Sequence, residues 1–95
     1  MYVCIIKIEL RFPPVPSIKD KRKIVNSVKM KIFSHFKIPA AEVDDQELYN
    51  SSVIGLSFVS LKKDHCVSKA QKIISFLEEH QGEYLYDHDM LVEEY

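Results

Sequence analysis

Glycine, cysteine and long apolar runs are scarce in this chain of 95 residues, and each shortage excludes a class of protein. Two glycines, Gly55 and Gly82, cannot build a glycine-rich phosphate loop. Two cysteines, Cys4 and Cys66, cannot form a disulfide framework, so we expect reduced, buried thiols in a cytoplasmic protein. No apolar run approaches the ~20 residues of a membrane span, and charged residues interrupt the N-terminal one. We therefore expect neither a membrane protein nor a signal peptide.

The residues that could carry catalysis or bind metal also lack the necessary spacing. His65 and Cys66 are adjacent, so on a helix they point about 100° apart and cannot chelate one ion comfortably. No acyl-transfer motif accompanies Cys66. Asp44, Asp45 and Glu47 lack the spacing of an EF-hand. The sequence therefore predicts no enzyme, no metal site and no cofactor.

Charge is divided unevenly along the chain, although the net charge is only −1. Residues 1–37 hold nine Lys and Arg against two acidic residues, a net charge of +7. Residues 38–95 hold four Lys against twelve acidic residues, a net charge of −8. Such asymmetry can mark a basic patch for a polyanion. The alternative is a solvated basic helix that acidic residues folded beside it neutralise.

Alternation and helical periodicity define the first two elements. Residues 2–12 alternate between apolar and charged side chains from Ile6 onward, which predicts a β-strand, and three prolines then mark a stiff connection. Ser17 and Asp20 fit a capping pattern for a helix of about 20 residues that Pro39 ends. The apolar positions of this helix are Ile18, Val25, Val28, Ile32 and Phe36.

The second half of the chain has similar signals. Residues 40–47 are acidic and weakly patterned, which favours an edge strand. Residues 53–61 alternate strongly, and Gly55 within them indicates a bulge or a close neighbour. Asp64 is the predicted N-cap of a second amphipathic helix, which Gly82 ends.

A final alternating segment, residues 84–93, completes the order βαββαβ. This order predicts an α+β, ferredoxin-like fold: a four-stranded antiparallel sheet with two helices on one face, strands 1 and 3 central. We expect one domain over residues 1–95. The predicted core is Ile6, Ile8, Val25, Val28, Ile32, Ile54, Leu56, Phe58, Ile74 and Leu77.

Three segments in matching order carry a family resemblance. They are the strand end Glu9-Leu-Arg11, the helix start Ser17-Ile-Lys-Asp-Lys-Arg22 and the stretch Ala41-Glu-Val-Asp-Asp-Gln46. Together they resemble the YlxP-like family of small bacterial proteins of unknown function. Asp44 departs from the family's usual Gly. Ser51 stands where an Arg is common, which removes a cation. The resemblance implies a ferredoxin-like fold without established enzymatic activity, in gene neighbourhoods of translation initiation and ribosome maturation factors.

RNA binding through the first helix is the first functional hypothesis. The outward positions of strands 1 and 3 carry no aromatic residue, so base stacking on the sheet is not expected. Phosphate contacts would then fall to the helix cations, in an accessory protein of RNA or the ribosome. The candidate RNA-binding residues are Lys19, Lys21, Arg22 and Lys23.

Self-association is the second hypothesis. The face of the sheet opposite the helices carries Val3, Ile5, Val53 and Val59, and a contiguous exposed apolar patch usually marks an interface. We expect a homodimer through this face, with binding of a small ligand or peptide as the alternative. On this interpretation the protein is a homo-oligomeric ligand-sensing or scaffold module, and the basic helix has no nucleic-acid role.

Overall fold

The computed structural model describes residues 1–95 and contains four strands and two helices in the predicted order. The strands are β1 (Tyr2–Arg11), β2 (Ala41–Asp44), β3 (Ser51–Ser60) and β4 (Leu85–Glu94), and the helices are α1 (Ile18–Phe36) and α2 (Lys63–Gln81).

All four strands belong to one antiparallel sheet with the order β2-β3-β1-β4. The two most apolar strands, β1 and β3, are central, as the alternation predicted. Even-numbered residues of β1 and β3 face the helices, which is why Ile6 pairs with Leu56 in register and both are buried. The predicted ferredoxin-like fold is confirmed.

The ends of α1 have the predicted chemistry. Ser17 is extended, and its hydroxyl oxygen accepts a hydrogen bond from the Asp20 amide at 3.2 Å. The same hydroxyl donates to the Asp20 carboxylate at 2.7 Å, which completes the cap. Lys37 ends the helix in the left-handed conformation, and its amide donates to the Phe33 carbonyl at 2.8 Å.

The ends of α2 differ from the prediction. The N-cap position is Lys62, which makes no side-chain capping bond, and Asp64 lies inside the first turn instead. Gly82 follows the helix, as predicted, but in a right-handed conformation and not in the left-handed one that is usual for a glycine at a helix C-terminus. Glycine is needed there for another reason, because a Cβ atom would collide with the carbonyl oxygen of Glu78.

The core lies between the helices and the sheet. Eight of the ten predicted core residues are buried, whereas Phe58 and Ile74 are only half-buried and pack against its rim. Seven further apolar residues complete the buried cluster: five share the same strand face or helix stripe, and Phe12 and Ile38 belong to the connections that follow β1 and α1. They are Cys4, Leu10, Phe12, Ile38, Cys66, Ala70 and Ile73.

Replacing Leu56 by alanine should lower the free energy of unfolding by about 2–5 kcal/mol, because the side chain is buried and the cavity would not collapse completely. Leu61→Ala is the matched control, since Leu61 is 88% exposed just beyond β3. It should change stability by less than about 0.5 kcal/mol. Urea denaturation measures both, and equal effects of the two variants would contradict the assigned facing of β3.

Candidate nucleic-acid interface on helix α1

One face of α1 is exposed along its length. Each of its residues lies three or four positions from another member, so they form a continuous band on the helix surface. The line from the first to the last of them is about 21 Å long at 1.5 Å per residue. We call this line the α1 stripe; its members are Lys19, Arg22, Lys23, Asn26, Lys29, Met30 and Phe33.

The cations of the stripe have no acidic partner. The protein contains only two ion pairs within 4.0 Å, Arg11 with Glu9 and Lys21 with Glu42, and neither involves the stripe. Asp20, the only acidic residue of α1, is engaged in the N-terminal cap. The stripe therefore carries four positive charges, three on exposed side chains and one on the half-buried Lys29, and no carboxylate contacts them.

Lys21 does not belong to this surface, in contrast to its selection as a candidate RNA-binding residue. Its side chain is 1% exposed, and its ammonium group lies 3.2 Å from a carboxylate oxygen of Glu42. The ammonium also donates to the backbone carbonyl of Asp45. Ser52, fully buried, donates to the same Glu42 oxygen at 2.6 Å. Lys21 is thus an internal cation that fastens α1 to the β2 region.

The periodicity of α1 contains the signal for this burial. Lys21 lies four residues before Val25, which is followed at three and four residues by Val28 and Ile32. All four are buried, so Lys21 lies on the apolar face of α1 and not on the exposed basic face. A lysine in that register requires an internal acidic partner, and Glu42 supplies it.

The loop after β2 is shaped around the Lys21 ammonium. Asp45, whose carbonyl accepts from Lys21, has a left-handed backbone with φ of 62°. Its amide hydrogen-bonds to the Asp44 carboxylate at 2.8 Å, and its own carboxylate accepts from the Ser51 hydroxyl at 3.1 Å. Aspartate tolerates this conformation better than most residues, which explains how a non-glycine residue occupies the turn.

The face of the sheet opposite the helices carries an apolar patch that extends beyond the four candidate residues Val3, Ile5, Val53 and Val59, with charged residues such as Lys7 and Asp89 beside it. Ile5 and Val59 are exposed, while Val3 and Val53 are half-buried. The strand register adds Leu91, which pairs with Ile5. We call this surface the open sheet face; it consists of Val3, Ile5, Val43, Val53, Val59 and Leu91.

Val43 reaches the open sheet face through an irregularity in β2. The register of β2 against β3 shifts between Glu42 and Asp44, so Val43 lies over Gly55. A Cβ atom on Gly55 would approach a Val43 methyl group to 3.0 Å, which explains the glycine in mid-strand. Of the two predicted reasons for Gly55, the close neighbour is present as Val43, whereas the bulge lies in β2 and not in β3. An open depression of about 660 Å³ surrounds this contact.

The candidate catalytic and metal-binding residues His65 and Cys66 differ in their exposure to solvent. Cys66 is fully buried and lies 3.8 Å from the Tyr2 carbonyl, whereas the neighbouring His65 is exposed. Cys4 is also buried, and burial raises the pKa of its thiol. No three His, Cys, Asp or Glu side chains converge where they could hold a metal ion. Neither helix is apolar enough over its length to cross a membrane.

Comparison with known proteins places the chain in a family. The family model described as "Protein of unknown function (DUF503)" matches residues 3–90. The chain belongs to the DUF503 family. The matched residues include the α1 stripe, Lys21 and most of the open sheet face, and the family description assigns a role to none of them. No curated protein matches the chain.

Solved structures agree with this DUF503 chain in fold alone. A protein from Agrobacterium tumefaciens aligns with a TM-score of 0.53 and 14% identity, covering 99% of this chain and 92% of the other. A dabb family protein with a ferredoxin-like fold from Mesorhizobium loti aligns with a TM-score of 0.52 and 9% identity, covering 99% and 96%. At these identities the likeness supports the ferredoxin-like architecture and nothing about activity.

Lys21→Met should lower the free energy of unfolding by about 2–4 kcal/mol, because it leaves Glu42 and the Asp45 carbonyl without their internal cation. The expected loss is below that of a fully buried pair, since the Glu42 side chain remains 20% exposed. Arg22→Met, on the exposed stripe, is the matched control and should change stability by less than about 0.5 kcal/mol.

A double-mutant cycle with Glu42→Gln measures the coupling between Lys21 and Glu42. Combining Lys21→Met with Glu42→Gln removes the unpaired charge while it keeps an oxygen acceptor for Ser52. The double variant should therefore be more stable than Lys21→Met alone. Additive losses in urea denaturation would show that Lys21 and Glu42 are not coupled.

Proposed function

We propose that this DUF503 protein is a non-catalytic cytoplasmic accessory domain that contacts RNA, such as ribosomal RNA, through the α1 stripe. The observation that carries the proposal is the exposure of Lys19, Arg22 and Lys23 on one helix face without a carboxylate within 4.0 Å of any of them. The resemblance to the YlxP-like family, whose members neighbour genes of translation factors, favours RNA among polyanions.

The cations of the α1 stripe repel one another along the helix. Like charges three and four residues apart destabilise a helix by roughly a few tenths of a kcal/mol per pair, so the stripe is not explained by helix stability. A phosphate backbone would relieve that repulsion and release counterions as it binds. Contacts of this kind position a protein on RNA without selecting a base sequence.

The sheet is less suited to RNA binding than α1 is. The outward positions of β1 and β3 carry aliphatic, charged and small side chains but no aromatic ring on which bases could stack. Both edges of the sheet are acidic and would repel phosphate. The exposed edge residues concerned are Asp44 on β2, and Asp87, Asp89, Glu93 and Glu94 on β4.

A triple variant tests the proposal: Lys19→Glu, Arg22→Glu and Lys23→Glu together. Binding of total ribosomal RNA should weaken by at least roughly tenfold in 0.1 M salt, because three phosphate contacts are lost. The slope of log affinity against log salt should fall in magnitude by about 2, at roughly 0.7 per contacted phosphate of a single strand. Filter binding at several salt concentrations measures both quantities.

The matched control carries the same change of charge on the other helix. Lys62, Lys63 and Lys72 are exposed at or within α2, so their joint replacement by glutamate alters the net charge equally at a different place. This control should keep most of the affinity and the slope. Equal losses in both triple variants would mean that only net charge matters, and unchanged binding in both would remove α1 from the function.

The open sheet face favours a second candidate role, that of a homodimeric scaffold or ligand-sensing module. A two-fold interface must be complementary to itself. The open sheet face has an apolar centre at Ile5 and Leu91, and Lys7 pairs in register with Asp89 beside it. Each copy thus offers both a cation and an anion next to its apolar residues. This arrangement supports face-to-face pairing of two copies.

Ile5→Glu should leave the fold intact and convert a dimer to a monomer, because pairing would bury an unpaired carboxylate at the centre of the contact. Leu61→Glu is the matched control, since Leu61 is exposed outside the open sheet face. Light scattering after size exclusion, at tens of micromolar protein as an order of magnitude for weak contacts, measures the species present. A monomeric unmodified protein at that concentration would contradict the homodimer.

A further inference from the structure

Phe33 is a large aromatic side chain that the core does not use. It is 52% exposed on the α1 stripe, beside the exposed Met30 three residues before it. The buried stripe of α1 ends with Ile32, so Phe33 lies about 100° away from the core direction. Phe33 is therefore not part of the buried core, and its ring is available for contact with another molecule.

The surroundings of Phe33 are basic and concave. An open depression of about 600 Å³ lies between the second half of α1 and the segment Pro39–Ala40. Lys29 and Lys37 lie on its border, together with Asn26. The Lys37 ammonium lies 5.9 Å from the centre of the Phe33 ring, within the range of a cation–π contact. No carboxylate lines the depression.

The charge of this site selects its occupant. An apolar ring with lysines around it and no acidic residue matches a ligand that combines a flat apolar group with negative charge. A nucleobase attached to its phosphates has that combination, because the base can stack on the ring while the lysines contact the backbone. Asn26 and Lys23 continue the same line toward the N-terminus of α1, so a strand at Phe33 would run on along the stripe.

We infer that Phe33 is a stacking platform for an unpaired base, so that the RNA contacted by α1 is single-stranded at this point. The inference rests on the proposed RNA-binding function and names the form of RNA recognised. Bases inside a duplex already stack on their neighbours and present only their edges in the grooves. The ring therefore discriminates single strands from duplexes, whereas the stripe cations act on both.

The test uses a labelled oligouridine of about twelve nucleotides, within the span of single-strand sites, and an RNA duplex of equal length. Phe33→Leu keeps an apolar side chain but removes the ring. It should weaken binding of the single strand by roughly 5- to 100-fold and leave the salt slope and duplex binding unchanged. Phe33→Tyr, which keeps the ring, should restore single-strand affinity. Fluorescence anisotropy at fixed salt measures each constant.

The outcomes separate this inference from the proposed function. If Phe33→Leu binds the single strand as tightly as the unmodified protein while the stripe triple variant loses binding, the phosphate contacts stand and the stacking platform is wrong. If the unmodified protein binds neither RNA, both proposals are overturned. An equal loss of single-strand and duplex binding in Phe33→Leu would also contradict stacking. It would indicate that Phe33 instead maintains the local structure of α1.

Discussion

The internal ion pair between Lys21 and Glu42 sets the arrangement on which the rest of the protein depends. A buried ammonium group must be paired, so the folded state favours the rotation of α1 in which Lys21 meets Glu42 and the Asp45 carbonyl. Val25, Val28 and Ile32 are buried in that same setting. The consequence appears on the opposite side of the helix, where Lys19, Arg22 and Lys23 are turned outward together. The pairing of Lys21 thus favours the rotation of α1 that exposes Lys19, Arg22 and Lys23.

The exposed surface of α1 and the open sheet face are chemically distinct. The helical layer presents unpaired cations and one exposed aromatic ring along α1, while the sheet presents aliphatic side chains between two acidic edges. Acidic residues on an edge strand discourage pairing with other chains, so they protect the edges that the open fold leaves free. Assembly through the open sheet face would leave the α1 stripe of each copy accessible, so the two candidate roles are compatible in one particle.

Much of the fold could be predicted because alternation and helical spacing are local signals. β1 and α1 illustrate this: alternation from Ile6 onward defined the inward face of the strand, and Ser17 with Asp20 marked the start of the helix. Features that depend on partners distant in sequence could not be read so directly. The approach of Val43 to Gly55 follows from a register shift, and the pairing of Leu91 with Ile5 depends on the register of β4.

The candidate site was predictable in part for the same reason. The cations of α1 were visible, but separating Lys21 from its neighbours required placing it on the apolar stripe with Val25 and finding its partner 21 residues later at Glu42. Phe33 was not selected, because an aromatic residue in an amphipathic helix is usually part of the core. Only its position relative to Ile32 and the neighbouring depression identifies it as a surface residue.

Mapping of amide chemical shifts during titration with single-stranded RNA tests the central claim most directly, because it locates the contact without altering the protein. The account predicts that the shifts that change most belong to the α1 stripe, from Lys19 to Phe33, and to Lys37 beyond it, while β4 and the open sheet face stay unchanged. Changes concentrated on the sheet, or no saturable change anywhere, would contradict it.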